Sequence, residues 1–350
     1  MRVAFVTVGD TDRLTGGYLY NARVLAALRE MGVEVEELNP CGASSEEQRK
    51  AASRLDSLLD PHHFDVIVVD ALARVVCSLH LDRWRQERPV VAMVHELPSV
   101  ADEDAFSGKH EVPLLRSDRL IVVSGHGRSV LEDLGVTARR IRVVSPGSDR
   151  LSNGEEFERP IHNDTVRALC VAQWIPRKGI LDLVRAWTLR ERPGAALELV
   201  GETDADSDYA ASVRAAIGAA SITVRGSVDD AALAAAYAAA DLFVLPSRYE
   251  GYGVVYAEAL AHGLPVVACD VGPVPELLGD EAALLVPPKD VEALSGVLDL
   301  LLGDAGLRSR MSAAARRRAR ELPRWEETAA GFLGVLREVV AEHSRRERGG

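Results

Sequence analysis

Cysteine is scarce in this chain of 350 residues. Cys41, Cys77, Cys170 and Cys269 are scattered, with no C-x-x-C pair and no metal-ligand spacing. That excludes a disulfide framework and a thiolate metal site, and it fits buried thiols in a reducing compartment. Positive charge is also short. The formal net charge is −12, whereas phosphate backbones are bound by stripes of lysine and arginine, so nucleic acid is excluded as a partner. The arginine groups at 316–318 and 345–346 read as solvated faces, which leaves a peripheral membrane contact the lesser expectation. No apolar run approaches the roughly 18 residues that span a bilayer. The opening M-R-V-A-F-V-T-V-G-D breaks at Gly9 and Asp10, too soon for a signal peptide. The expectation is a cytoplasmic protein without a transmembrane segment.

What is present is alternation. Short β-branched runs exchange with helical patterns along the whole chain, the signature of parallel sheets with crossover helices. In the first half, strands are expected over 3–8, 33–38, 66–69, 90–94, 120–123 and 141–144, with amphipathic helices over 18–30, 46–59 and 127–134. The pattern lapses at S-P-G-S-D-R-L-S-N-G-E-E-F-E-R-P-I-H-N-D, a polar stretch rich in turn formers, and a linker is placed at 151–164. Strands resume over 167–171, 197–200, 222–224, 241–245, 265–268 and 283–286, with helices over 180–189, 210–219, 231–239, 253–262 and 291–302. The reading is α/β: two doubly wound domains, 1–150 and 165–323, facing a cleft, with a C-terminal helix over 324–350 that restarts after Pro323. Ligands of such sheets bind beyond the carboxyl ends of the strands, so the loops there carry the chemistry.

Five such places stand out. Gly16 and Gly17 lie immediately before the first helix, where adjacent glycines let backbone amides approach an anion; a plain flexible turn is the other reading. His95 and Glu96 emerge together at the end of the fourth strand, placed either to reach a polar ligand or to be satisfied in the core. Arg177 and Lys178 precede Gly179 at a strand-to-helix corner, an arrangement suited to a diphosphate, and lysine is otherwise rare here. In R-Y-E-G-Y-G-V-V-Y-A-E, Glu250 falls in the loop and Glu258 about a turn and a half inside the following helix. The two acids can then reach different parts of one long ligand, while the amides of Gly253, Val254 and Val255 face the helix start. Glu276 is a further candidate, as a loop carboxylate or as an N-terminal helix charge.

Taken together, P-S-x-x-E-G-x-G-x-x-x-x-E-A, then H-G-x-P-V-V-A-x-x-x-G-x-x-P-E-L, then L-V-P-P-x-D, resemble the donor-binding half of retaining glycosyltransferases of family 4, which have the two-Rossmann-domain GT-B fold. The resemblance spans nearly the whole chain, including Gly16-Gly17, His95, the R-K-G corner and the helix at Trp325, which is expected to pack back toward the N-terminal domain. It implies a nucleotide-sugar donor, an acceptor it does not identify, and transfer with retention. By resemblance, Glu258 holds the ribose hydroxyls, Glu250 lies by the transferred sugar, Lys178 meets the diphosphate, the amides around Gly253 and Val254 meet the diphosphate or sugar, and His95 sits at the reaction centre. One departure matters: where the family reads G-R-L, this chain has Ala172, Gln173 and Trp174, so Gln173 replaces a phosphate-binding arginine and Arg177 is the candidate to compensate. The acidic loops D-T-D at 10–12, D-E-D at 102–104 and D-A-D-S-D at 204–208 are read as surface loops, and neither a metal nor another cofactor is expected. An epimerase or hydrolase on the same scaffold, or a non-catalytic sugar-nucleotide-binding protein, remains open.

Overall fold

The computed structural model describes residues 1–11, 13, 15–101, 108–151, 165–218 and 221–349. They form two compact units, Met1–Pro146 together with Trp325–Gly350, and Gly147–Arg324. The linker expected at 151–164 lies, apart from Leu151, outside the described residues, as do Asp12 and the D-E-D at 102–104.

The first unit runs β1 (Arg2–Val6), α1 (Gly16–Glu30), β2 (Glu34–Leu38), α2 (Ser45–Ala52), α3 (Leu55–Leu58), β3 (Val66–Asp70), α4 (Arg74–Cys77) and α5 (Leu81–Glu87). It continues through β4 (Val90–Val94), α6 (Pro98–Ala101), α7 (Gly108–Leu115), β5 (Arg119–Val122), α8 (Gly125–Asp133) and β6 (Ile141–Val143). Its six strands are parallel in the order β2-β1-β3-β4-β5-β6. The order reverses between β1 and β3, so the topological switch point of this sheet lies there. β3 and β4 are buried at every position, as strands covered by helices on both faces must be, whereas the acidic edge strand β2, E-V-E-E-L, is largely open.

The second unit runs β7 (Val166–Val171), α9 (Ile180–Thr188), β8 (Ala195–Val200), α10 (Ser207–Ile217), β9 (Ile222–Gly226), α11 (Asp230–Ala239), β10 (Leu242–Leu245) and α12 (Val254–Ala261). Then come β11 (Val266–Cys269), α13 (Val274–Ala282), β12 (Ala283–Val286), α14 (Val291–Gly303) and α15 (Ala305–Ala319). The parallel order β12-β11-β10-β7-β8-β9 reverses between β7 and β10. The last helix, α16 (Trp325–Gly349), clusters with the first unit. There Trp325 meets the Tyr20 ring edge-on at 5.9 Å, and Thr328 Oγ1 donates to Ser145 O at 2.8 Å.

The twelve strands and the α/β class follow the reading from sequence. Two local expectations are corrected, and for Glu276 the helix-charge alternative holds. The helix expected from residue 18 starts at Gly16 with Thr15 as its N-cap, so the glycine pair is the first turn of α1 rather than a preceding loop. The helix expected over 46–59 is two, because Ser44 and Glu47 form a capping box that starts α2, and the chain breaks after Ala52 before α3. Glu276 is not in a loop; it lies exposed in the first turn of α13, where its charge suits the helix N-terminus.

Candidate active site

In the second unit, the candidate residues gather where the sheet order reverses. After β7 the chain makes a 3-10 turn over Pro176–Lys178 and passes through Gly179, whose φ of 68° opens α9. A Cβ on Gly179 would stand 2.1 Å from Pro246 O, so glycine lets the loop after β10 pass directly against this corner. Two further ties fix the loops. The Arg248 amide donates to Arg177 O at 2.7 Å, and the Arg248 guanidinium donates to buried Asp182 Oδ2 at 2.8 and 3.1 Å.

This brings Lys178 and Glu250 together. Lys178 Nζ donates to Glu250 Oε1 at 2.7 Å, and Ser247 Oγ donates to the same oxygen at 2.6 Å. Glu250 is only 4% exposed. Burial pushes its carboxyl up, but the charges of Lys178 and Arg177 and the two hydrogen bonds outweigh it and hold the group below its usual range. Both donors use Oε1, which leaves Oε2 as an acceptor. An ammonium has three donors, so Lys178 can hold Glu250 and still meet a phosphate. Gly253, at φ 95°, turns the chain into α12; a Cβ there would come 2.4 Å from Tyr256 Cδ2. The amides of Val254 and Val255 fall in the first turn, where no preceding helical carbonyl exists to accept them.

Glu258, expected by resemblance to meet the ribose, is held by other side chains. It is 1% exposed on α12 and already engaged. Its Oε1 accepts from Arg150 Nε at 2.7 Å, and its Oε2 accepts from Tyr237 OH at 3.1 Å. The same Arg150 also donates to Asp230 at the start of α11. Burial nevertheless dominates, and Glu258's carboxyl sits above its usual range despite Arg150. The ring of Tyr237 stacks on His262 at 5.0 Å, and His262 Nδ1 bonds Glu258 O at 2.8 Å, so the acid is fixed from its backbone as well. Gln173 Nε2 donates to Glu202 Oε2 at 2.6 Å. The D-A-D-S-D at 204–208, expected as a surface loop, is loop only to Asp206: Ser207 and Asp208 open α10, and Asp206 caps it by accepting from the Tyr209 amide at 2.9 Å.

In the first unit, Gly17 and His95 are neighbours at the β1/β3 switch. A Cβ on Gly17 would lie 3.3 Å from His95 Cδ2. His95 Nε2 is 2.9 Å from Asn21 Oδ1, and Asn21 Nδ2 donates to Asp70 Oδ2 at 2.6 Å. Asp70, fully buried at the end of β3, also accepts from Thr7 Oγ1 at 3.2 Å. Because Asp70 can only accept, it turns the Asn21 oxygen toward His95, and His95 must donate through Nε2. Burial lowers the His95 pKa, against the pull of Asp70 and Glu96. A neutral ring with its proton on Nε2 leaves Nδ1 as an acceptor.

Sequence reasoning did not find Arg150, Tyr237, Ser247, Asn21 or Asp70. Ser247 stands inside the P-S-x-x-E motif and Asp70 closes a strand, so both carried a signal. Arg150 sits in a turn-rich stretch and carried none.

The family model described as Glycosyl transferases group 1 matches residues 153–318, and the one described as Glycosyltransferase Family 4 matches 16–150. The MMP alpha-(1->4)-mannosyltransferase of Mycolicibacterium hassiacum is 32% identical over 226 residues, covering 63% of this chain and 54% of that protein. The D-inositol 3-phosphate glycosyltransferase of Mycobacterium tuberculosis is 30% identical over 327 residues, covering 85% of this chain and 67% of that protein. The chain therefore spans about half the length of the first relative and two thirds of the second. Among solved structures, sucrose-phosphate synthase from Thermosynechococcus elongatus has a TM-score of 0.82 at 23% identity, covering 98% of this chain and 100% of that one. HepE from Anabaena, solved with UDP and glucose, has a TM-score of 0.77 at 18% identity, covering 96% and 99%. At these identities the structural likeness carries the GT-B fold.

Proposed function

Since this chain belongs to the glycosyl transferases of group 1 and family 4, we propose that it moves a sugar from a nucleoside diphosphate sugar to an acceptor hydroxyl, with retention at the anomeric carbon. The observation that carries this reading is the Lys178–Glu250 pair at the β7/β10 switch, beside the first turn of α12. Lys178, Arg177 and the amides of Gly253, Val254 and Val255 supply positive charge and dipoles to the leaving diphosphate, whose charge grows as the glycosidic bond breaks. Glu250, through its open Oε2, orients the sugar. Glu258 accepts from the ribose hydroxyls, with Arg150 and Tyr237 holding it in place.

No acid from the protein is required, because a nucleoside diphosphate is a good leaving group and the only proton to move is the acceptor's own. The donor's own phosphate takes the acceptor proton in a front-face attack. A neutral His95 fits this division: through Nδ1 it accepts from a sugar hydroxyl and does not titrate during turnover. Neither a metal nor another cofactor enters the proposal, so turnover should survive chelation. One relative is named as a D-inositol 3-phosphate glycosyltransferase, so D-inositol 3-phosphate belongs in the first panel of acceptors tested. Among the described residues no helix is long and apolar enough to cross a membrane, which supports the proposal of a cytoplasmic enzyme.

A second reading, non-catalytic binding of a sugar nucleotide, draws on one observation: Gln173 spends its amide on Glu202 and brings no charge to the phosphate corner. A thermal-shift screen of UDP-, GDP- and ADP-sugars is the first test, because a ligand at 100 times its Kd stabilises the fold by about 2.7 kcal/mol. No shift with any donor would reject both readings.

A further inference from the structure

The first unit contains a second concentration of charge, built from residues that take no part in the sites described above. A cavity of about 710 Å³ is lined by Arg85, Arg116, Arg119, Arg139, Arg140 and Arg142, with Arg346 of α16 adding a seventh guanidinium. The lining carboxylates are Asp118, Glu338 and Glu342, and Asp82 pairs with Arg85 and Arg116 from beside it. Seven cations against four anions is the reverse of the balance of the whole chain, at −12.

The acids do not satisfy the donors. Arg119 is 8% exposed; its Nη2 reaches Glu338 at 3.1 Å and also Glu342, yet its Nε is buried with no acceptor. The Nε of Arg85 is buried and orphaned in the same way. Arg142 takes Glu338 through Nε at 3.2 Å and Nη2 at 2.5 Å, so Glu338 serves two guanidiniums. Arg140 donates to the backbone carbonyls of Leu115 and Ser117. Its pKa is lowered first by burial and then by neighbouring Arg85, with Asp118 opposing and Arg119 and Arg139 adding to the lowering. Arg139 is exposed on the rim.

We propose that this cavity binds a phosphate-bearing organic anion at a site separate in its residues from the donor corner. Guanidinium forks match phosphate oxygens two at a time, and an added anion relieves the mutual repulsion of the cluster. The cavity falls in the range of small-molecule sites, about 300–1,000 Å³, so it holds more than one phosphate group. The phosphate comes either from a soluble organic phosphate or from the headgroup of an anionic lipid.

The test titrates the full chain at fixed ionic strength with inorganic pyrophosphate and, separately, with phosphatidylglycerol vesicles against phosphatidylcholine vesicles. Hydrogen exchange over residues 138–143 gives a readout local to this unit. The variant R139A/R346A removes two lining charges and leaves Arg119, Arg142 and Glu338 intact. R185A/R310A, two exposed arginines of the second unit, is its charge-matched control. The expected result is protection of 138–143 by pyrophosphate, by anionic vesicles or by both, weakened about tenfold or more in R139A/R346A and unchanged in the control. Protection by pyrophosphate assigns the soluble source, and protection by anionic vesicles alone assigns the headgroup. Absence of protection by either probe, or equal loss in both variants, overturns the proposal.

Discussion

Lys178 Nζ and Glu250 Oε1 are 2.7 Å apart, at side-chain exposures of 15% and 5%, and they come from loops after two strands that adjoin at the reversal of the sheet. A buried ion pair of this kind contributes little net stability, but removing one partner strands the other. Lys178→Ala is therefore expected to cost about 3–5 kcal/mol at neutral pH, the scale for breaking such a pair. Glu250 titrates below its usual range in the folded chain. Its contribution is thus present above the unfolded carboxylate value, about 4.3, and is lost as pH falls through the folded value. Urea midpoints for wild type and Lys178→Ala should converge on acidification. A gap that stays constant with pH would contradict the pair.

Arg150 and Glu258 behave in the opposite sense. Glu258 is raised in the folded chain, so its pH-linked contribution is complete below the unfolded value and disappears as pH rises through the folded one. Arg150→Ala should widen that window, and Glu258→Gln should abolish it. A double-mutant cycle by denaturation at pH 7 is expected to return a coupling of about 1–3 kcal/mol. A coupling near zero would mean that Arg150 does not hold the acid.

His95 offers a spectroscopic check. Its depressed pKa means that stability linked to it is full above the unfolded value, about 6.5, and falls as pH drops toward the folded value. Asn21→Asp adds a carboxylate directly against the ring and should raise the His95 pKa in an NMR titration. His95→Ala is expected to lower kcat about 100-fold, the scale for a lost polar group at a reaction centre, with KM for the donor little changed. A KM effect alone would move His95 out of the chemistry.

Two glycine substitutions separate packing from function. Gly179→Ala faces both a φ of 68° and a backbone oxygen at 2.1 Å, and should destabilise by about 1–3 kcal/mol or more in thermal unfolding. Gly17→Ala meets only the His95 ring at 3.3 Å. It should therefore shift turnover while moving the melting temperature little.

The phosphate corner can be tested by charge. Arg177→Ala should weaken binding of the nucleotide sugar in calorimetry, and Gln173→Arg, with Glu202 at hand to pair with it, should strengthen binding. No loss in Arg177→Ala would reject its role as the compensating cation.

Much of this was legible in the sequence because parallel sheets announce themselves: twelve β-branched runs separated by amphipathic stretches leave few topologies, and strand-end loops then name Lys178, Glu250 and His95. The partners of those residues were hidden for a physical reason. Asp70, Asn21 and His95 become neighbours only when β1, β3 and β4 align, and no spacing along the chain encodes that. Arg150 lies among turn formers, and only the burial of Glu258 reveals its function. The arginine cavity draws on positions from 85 to 346, so each cation alone looks like a solvated surface charge. The start of α1 at Gly16 was missed because glycine opposes helix in every local scale, while Thr15 and the chain after it carry the turn forward.

The central claim is group transfer from a nucleotide sugar. The measurement that meets it most directly is incubation of donor and acceptor with the enzyme, following nucleoside diphosphate release together with the anomeric proton of the product by NMR. The account predicts acceptor-dependent release, one glycoside per nucleotide with the donor's anomeric configuration, and loss of nucleoside diphosphate affinity in Glu258→Ala while Glu250→Ala chiefly lowers turnover. Nucleotide release without a glycoside, or a glycoside of inverted configuration, would contradict it.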